Sequence, residues 1–168
     1  MISPDHVRLM ARYNAWQNRS LIAAADTLDA AALVADRGGF WGGILPTLSH
    51  VLWGDCIWMS RFDGWDKPAV GMQGSPEMIT DWDAYCDARV TADADILDWA
   101  GRVSQEALSA DLTWYSGVME REFTQPLWQL VTHFFNHQTH HRGQVHAMLT
   151  AAGARPGDTD LILMPETA

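Results

Sequence analysis

The spacing of apolar positions along the chain predicts four long helices. Val7, Met10, Tyr13 or Asn14, Trp16 or Gln17, and Leu21 recur at intervals of three and four, the repeat of one buried helical face. Ahead of them, Ser3-Pro4-Asp5 supplies a hydroxyl N-cap, a proline at N1 and an acid where the helix dipole favours it. A first helix is therefore predicted over about residues 4–28. Gly38, Gly39, Gly42 and Gly43 then weaken any helix. A second helix is predicted from Ile44 or Pro46 to about Phe62. Its Leu48, Val51, Leu52, Trp58 and Met59 leave it apolar on most sides, as an enclosed helix should be.

A connector over residues 63–74 carries three glycines and one proline, and Ser75-Pro76-Glu77 then repeats the capped helix start. The third helix is predicted from there to about Ala100, with Gly101 suited to its end. Between Asp111 and Gln125 the β-favouring Leu112, Thr113, Trp114, Tyr115, Phe123 and Thr124 flank Gly117, so a short hairpin is expected. From Pro126 the pattern is helical again through Leu149, and Gly153 and Pro156 supply the stop. The tail segment Leu161-Ile162-Leu163-Met164 is expected to pack back onto the helices. The fold class is all-α, in a bundle of four helices.

Composition narrows the function. The 168 residues, 48% of them apolar, suit one domain spanning 1–168 with a substantial core. A formal charge of −10 with eleven Lys and Arg argues against a nucleic-acid partner, whose phosphates need basic side chains. No basic amphipathic helix points to a membrane surface, and no run of 18 apolar residues or signal-like start is seen, so a cytoplasmic protein is expected. Cys56 and Cys86 match neither a zinc-knuckle nor a disulfide framework and read as packed thiols. Nine Trp and eight Met exceed what one small core requires. They fit a homodimer interface or an aromatic-lined ligand pocket.

Five of the seven histidines crowd the span from His133 to His146. Advancing about 100° per residue from Phe134, Leu127, Leu130, Val131, Val145, Met148 and Leu149 fall within roughly 60° and form the buried stripe. His137 and His141 fall inside it, whereas His133, His140 and His146 lie roughly 100° to 120° away. Spaced four apart, His137 and His141 stack one turn above the other and can reach one ion. The alternative is a pair of hydrogen-bonded imidazoles. Two ligands make a weak site, and periodicity does not choose a third among His50, His6 and carboxylates such as Asp55. Five residues from His50, Asp55 does not stack on it and is expected to have a supporting or structural role.

Three segments carry a family resemblance. Asn136-His137-Gln138-Thr139-His140-His141-Arg142-Gly143-Gln144, His50-Val51-Leu52-Trp53-Gly54-Asp55 with Trp58, and Tyr13-Asn14-Ala15-Trp16-Gln17-Asn18 resemble the DinB family, over essentially the full chain. The resemblance implies an up-down-down-up four-helix bundle. It also implies a three-histidine site for one divalent metal ion, carried over here as His50, His137 and His141. Gly143 in mid-helix is expected to mark close approach of another helix. Arg142 and Gln144, roughly 80° off the stripe, are expected at the surface or in an interface. Orienting a ligand imidazole is the functional alternative for them.

Three neutral imidazoles leave coordination positions open, as in catalytic sites. The resemblance implies relatives among thiol-dependent S-transferases and isomerases and metal-dependent hydrolases. The leading expectation is a metal-dependent enzyme acting on a small-molecule substrate by thiol transfer, with a low-molecular-weight thiol as co-substrate. The competing reading is a non-catalytic metal-binding stress protein, in which the ion fastens the second helix to the fourth. Imidazole ligands suit zinc, nickel or iron, so the ion is not identified. No catalytic side chain beyond the ligands is assigned.

Overall fold

The computed structural model describes residues 1–166, which are mostly helical with one small two-stranded antiparallel sheet. In order, the elements are α1 (Pro4–Ala25), α2 (Ala30–Val34), α3 (Ile44–Phe62), a 3₁₀ turn (Met72–Glu77), α4 (Trp82–Arg102), α5 (Gln105–Ser109), β1 (Asp111–Ser116), β2 (Arg121–Pro126), α6 (Leu127–Ala151) and a 3₁₀ turn (Leu161–Leu163). The helix α1 packs on α4 and α6, and α3 packs on the same two. Among the described residues, no helix is long and apolar enough to cross a membrane.

Caps fix the helix starts. The Ser3 hydroxyl accepts from His6 N–H at 3.2 Å, as its position predicts. The first helix ends at Ala25, earlier than expected, because Thr27 Oγ1 bonds back to the Ala24 carbonyl and Asp29 starts α2 by accepting from Ala32 N–H. The third long helix begins at Trp82 and not near Ser75. Its cap is Asp81, which accepts from Ala84 N–H at 2.9 Å, while the Ser75 hydroxyl is engaged elsewhere. This helix also runs through Gly101 to Arg102, which pairs with Asp98 and Asp63. Gly43, the N-cap of α3, lies so close to α2 that a Cβ there would sit 2.9 Å from the Ala35 carbonyl oxygen.

Two clusters of buried apolar side chains fill the interior. One joins Leu21, Leu33, Ile44, Leu48, Tyr85, Val145 and Leu149, and the other joins Val7, Met59, Ile96, Trp99, Val131 and Phe134. Burial of each such aliphatic or aromatic side chain stabilises by about 1.5–3 kcal/mol.

Between the helices runs a polar network. On α1 the buried members of the ambiguous pairs are Asn14 and Gln17, joined by Asn18, while Tyr13 and Trp16 lie at the rim. Asn14 and Asn18 donate to Asp93 of α4 at 3.1 and 2.9 Å. Asp93 pairs at 3.0 Å with Arg89, which also binds Asp55 of α3 at 2.5 Å. Gln138 of α6 donates to the other Asp55 oxygen at 2.8 Å, and Arg142 of α6 donates to Asn14 Oδ1. All four long helices are thereby tied through groups whose burial is tolerable only when they are paired.

The hairpin forms where expected, with Asp111 opposite Pro126 and Ser116 opposite Arg121, and Thr113 and Thr124 share a hydroxyl bond of 2.7 Å. The tail departs from expectation. Leu161, Ile162 and Leu163 are exposed, Ile162 to 91%. Their neighbours are held through backbone carbonyls: Tyr13 Oη donates to Thr159 O at 2.7 Å and Gln17 Nε2 to Asp158 O at 2.9 Å. A polar seam on α1 fixes the tail, so the apolar run is free to face outward.

Candidate metal centre

Three imidazoles converge between α3 and α6. His50 projects from α3, and His137 and His141 project from successive turns of α6. One ring nitrogen from each can be chosen so that all three lie within 4.8 Å of one another. The ring centroids are 5.2 Å (His50 to His137), 4.8 Å (His50 to His141) and 4.6 Å (His137 to His141) apart. His6, the other histidine weighed as a third ligand, is not in the cluster.

Hydrogen bonds decide which nitrogens are available. The Ser75 hydroxyl has one proton and donates it to the Met72 carbonyl at 2.6 Å, so its oxygen accepts Nδ1–H of His50 at 2.7 Å. Nε2 of His50 is left with its lone pair. On α6, Gln144 Oε1 accepts from His141 Nδ1 at 2.8 Å while its amide group faces His140 Nε2 at 3.3 Å, which again leaves Nε2 of His141 unprotonated. Nε2 of His50 faces Nε2 of His137 at 3.3 Å. Two nitrogens bound tetrahedrally to one ion at about 2.0–2.1 Å stand about 3.3 Å apart, so the donor set fits a divalent ion.

Electrostatics favours the same protonation state. Burial, and then the nearby His141, lowers the pKa of His50 to about 4. Burial and the neighbouring imidazoles lower that of His137 to about 3. Burial also lowers that of His141, against the opposing bond from Gln144. Neutral imidazole, the form that ligates metals, is what these positions hold near pH 7.

The triad lies on the wall of a cleft of about 590 Å³. Trp41 and Trp53 flank His50, with ring centroids 4.4 and 5.8 Å away. The hairpin closes one side with Trp114, Met119 and Phe123, while Ile57, Trp58 and Arg61 of α3 extend the floor.

A model of the DinB family matches residues 3–168. The chain belongs to the DinB family. A solved DinB-like protein from Bacillus cereus ATCC 10987 shares the fold at a TM-score of 0.64 and 15% identity, over 87% of this chain and 90% of that one. None of the curated proteins is significantly similar to the chain.

Within this DinB chain the remaining expected residues divide by environment. Asp55 has a structural place, fully buried against Arg89 and Gln138; burial pushes its carboxyl up and those two partners counter it. Gln144 takes the orienting role at His141. Arg142 is buried in the polar network and not at the surface, because Asn14 offers it an acceptor inside. Gly143 does not mark a close helix approach, since a Cβ there would meet nothing within 4 Å. The glycine that does so is Gly54, where a Cβ would lie 2.8 Å from Cε1 of His137. His133 and His140 flank the triad on the cleft wall. Two supporting residues escaped the sequence reading. Ser75 has the sequence pattern of a helix cap, and Gly54 stands inside the family segment without a signal of its own.

Proposed function

We propose that His50, His137 and His141 of this DinB chain hold one divalent metal ion. The chain then serves as a metal-dependent enzyme acting on a small molecule, of the thiol S-transferase type. The observation that carries the reading is the convergence of three neutral imidazoles on the wall of an open, aromatic-lined cleft. When bound, a divalent ion of this ligand type supplies Lewis-acid chemistry, lowering the pKa of a thiol or water at its open position. Ser75 and Gln144 hold the His50 and His141 rings in the Nδ1–H tautomer. Trp41, Trp53 and Trp58 exclude water from the cleft wall and offer apolar surface to a substrate. A low-molecular-weight thiol is the proposed co-substrate, and zinc, nickel or iron fits the ligand set. A metal-dependent hydrolase would use the same site with water as nucleophile. A purely structural ion would fasten α3 to α6, but the cleft beside the triad favours the catalytic reading.

The single domain and the up-down-down-up bundle belong to the same proposal. They are supported by the way α1 and α3 each pack on both α4 and α6, and by the long connection from α3 to α4 that a parallel pair needs. A homodimer through helix faces belongs to the proposal as well, supported by the nine Trp and eight Met. The functional test is a screen of metal-loaded protein with small thiols and electrophiles. Turnover that requires the thiol and disappears in His137→Ala is expected. Turnover in that variant equal to wild type would sink the reading.

A further inference from the structure

One end of the cleft carries a cation that the protein itself leaves unpaired. Arg61 stands in the last turn of α3, its guanidinium carbon 4.4 Å from the Trp58 ring centroid and 5.6 Å from that of Trp114. Among the described residues it takes part in none of the ion pairs, which belong to Arg8, Arg89 and Arg102. It also donates none of the side-chain hydrogen bonds seen there, whereas the buried Arg142 donates to Asn14. What sets Arg61 apart among the described arginines is its place on the wall of the aromatic cleft. Burial makes its charge harder to hold, and His133, packed 5.2 Å from Trp58, adds no negative charge to offset it. The helix dipole and the two indole faces account for where the side chain lies. They do not provide an acceptor for its five N–H donors.

Its position relates it to the triad. His50, Gly54, Ile57 and Arg61 follow one another at spacings of four, three and four along one face of α3. The Cα atoms of His50 and Arg61 stand about 16 Å apart along the axis, and the Arg61 side chain tilts back toward the helix N-terminus, hence toward His50. Both line the same cleft, and the wall between them is apolar. No other arginine or lysine lines it among the described residues.

We propose that Arg61 is the anion-binding residue of this cleft, and that the molecule taken there is a small carboxylate with an apolar or aromatic body. The carboxylate pairs with the planar guanidinium fork, and the body lies along Trp58 and Trp114 toward the histidines. One guanidinium with no second cation beside it matches a single negative charge. The proposal rests on reading the cleft as a small-molecule site, but not on the presence of an ion.

The test is calorimetric titration of the full chain with 4-phenylbutyrate and with its neutral amide, on metal-loaded and on chelator-stripped protein. Wild type should bind the carboxylate about tenfold or more tightly than the amide in both forms, the gain of a charge-assisted hydrogen bond. Arg61→Gln should lose that preference while its metal content and melting curve stay unchanged. Arg61→Lys, which keeps charge without the fork, should fall between, and it carries the test if Arg61→Gln folds poorly. Wild type that does not discriminate overturns the proposal. So does a preference that vanishes on stripping and survives in Arg61→Gln, since the carboxylate would then sit on the ion. A chain that bound no metal would sink the metal reading alone, because the stripped arm still reports on Arg61.

Discussion

Gly54 of α3 and His137 of α6 meet so closely that a Cβ on the glycine would lie 2.8 Å from Cε1 of the imidazole. The ring of one proposed ligand therefore rests on the bare backbone of the helix that carries another. Replacing glycine by alanine in a helix normally stabilises it, by about 1 kcal/mol. Here that gain is opposed by displacement of His137. Gly54→Ala should fold with nearly unchanged metal-free stability yet bind metal roughly 10- to 100-fold more weakly, the usual effect of disturbing groups around a ligand. Competition with a chromophoric chelator measures this, and unchanged affinity would show that the ring tolerates the shift.

Ser75 fixes the tautomer of His50 by accepting its Nδ1 proton. Ser75→Ala removes that acceptor, so Nε2 of His50 is no longer held unprotonated. Metal affinity should fall roughly tenfold. Ser75→Thr, which keeps a hydroxyl, should recover part of it in the same chelator assay.

The Asp55, Arg89 and Asp93 network ties α3, α4 and α1. Arg89→Met would leave two buried carboxylates without their cation. A loss of about 3–5 kcal/mol in urea unfolding is expected, the penalty of breaking a buried pair from one side. A loss within 0.5 kcal/mol, about that of an ordinary surface substitution, would mean the network is not worth what its burial implies.

Acid should weaken the metal-free fold through the histidines. The unfolded chain takes up protons near the ordinary imidazole pKa of about 6.5, whereas burial holds His50 to about 4 and His137 to about 3 in the folded chain. With more protons bound to the unfolded state, stability rises with pH across this window. The histidine contribution should be flat above about pH 7 and should decline from about pH 6.5 toward pH 4. His137→Ala should show a shallower decline over the same range of denaturation experiments.

Much of this arrangement was legible in the sequence, and the parts that were not share a cause. His137 and His141 stood out because they interrupt an apolar stripe of α6 whose phase a local pattern fixes, and β-favouring residues around Gly117 announced the hairpin. His50 came from family resemblance alone, since α3 is apolar nearly all round and offers no phase. The start of α4 differs from the sequence expectation because Ser75-Pro76-Glu77 has the composition of a cap, yet its hydroxyl serves His50 and Met72. Asn14 and Gln17 share their places on the buried face of α1 with Tyr13 and Trp16 as alternatives, Asn18 lies off the three-and-four repeat, and Arg142 falls off the α6 stripe. Burial of these polar residues becomes tolerable only through partners on other helices or in the tail, which periodicity does not reveal. The tail failed for the converse reason: an apolar run predicts packing, but carbonyl bonds to Tyr13 and Gln17 decide where it lies.

Whether the three histidines bind one ion is read from metal content measured together with thermal stability. Untagged wild type should carry about one divalent ion per chain, and added metal should stabilise it by about 2.7 kcal/mol when free ion is a hundredfold above the dissociation constant. His50→Ala should retain its helices by circular dichroism, lose most of the bound metal and gain much less stability, because His137 and His141 alone make a two-ligand site. Equal metal content and equal stabilisation in wild type and His50→Ala would exclude His50 as a ligand and with it the three-histidine site.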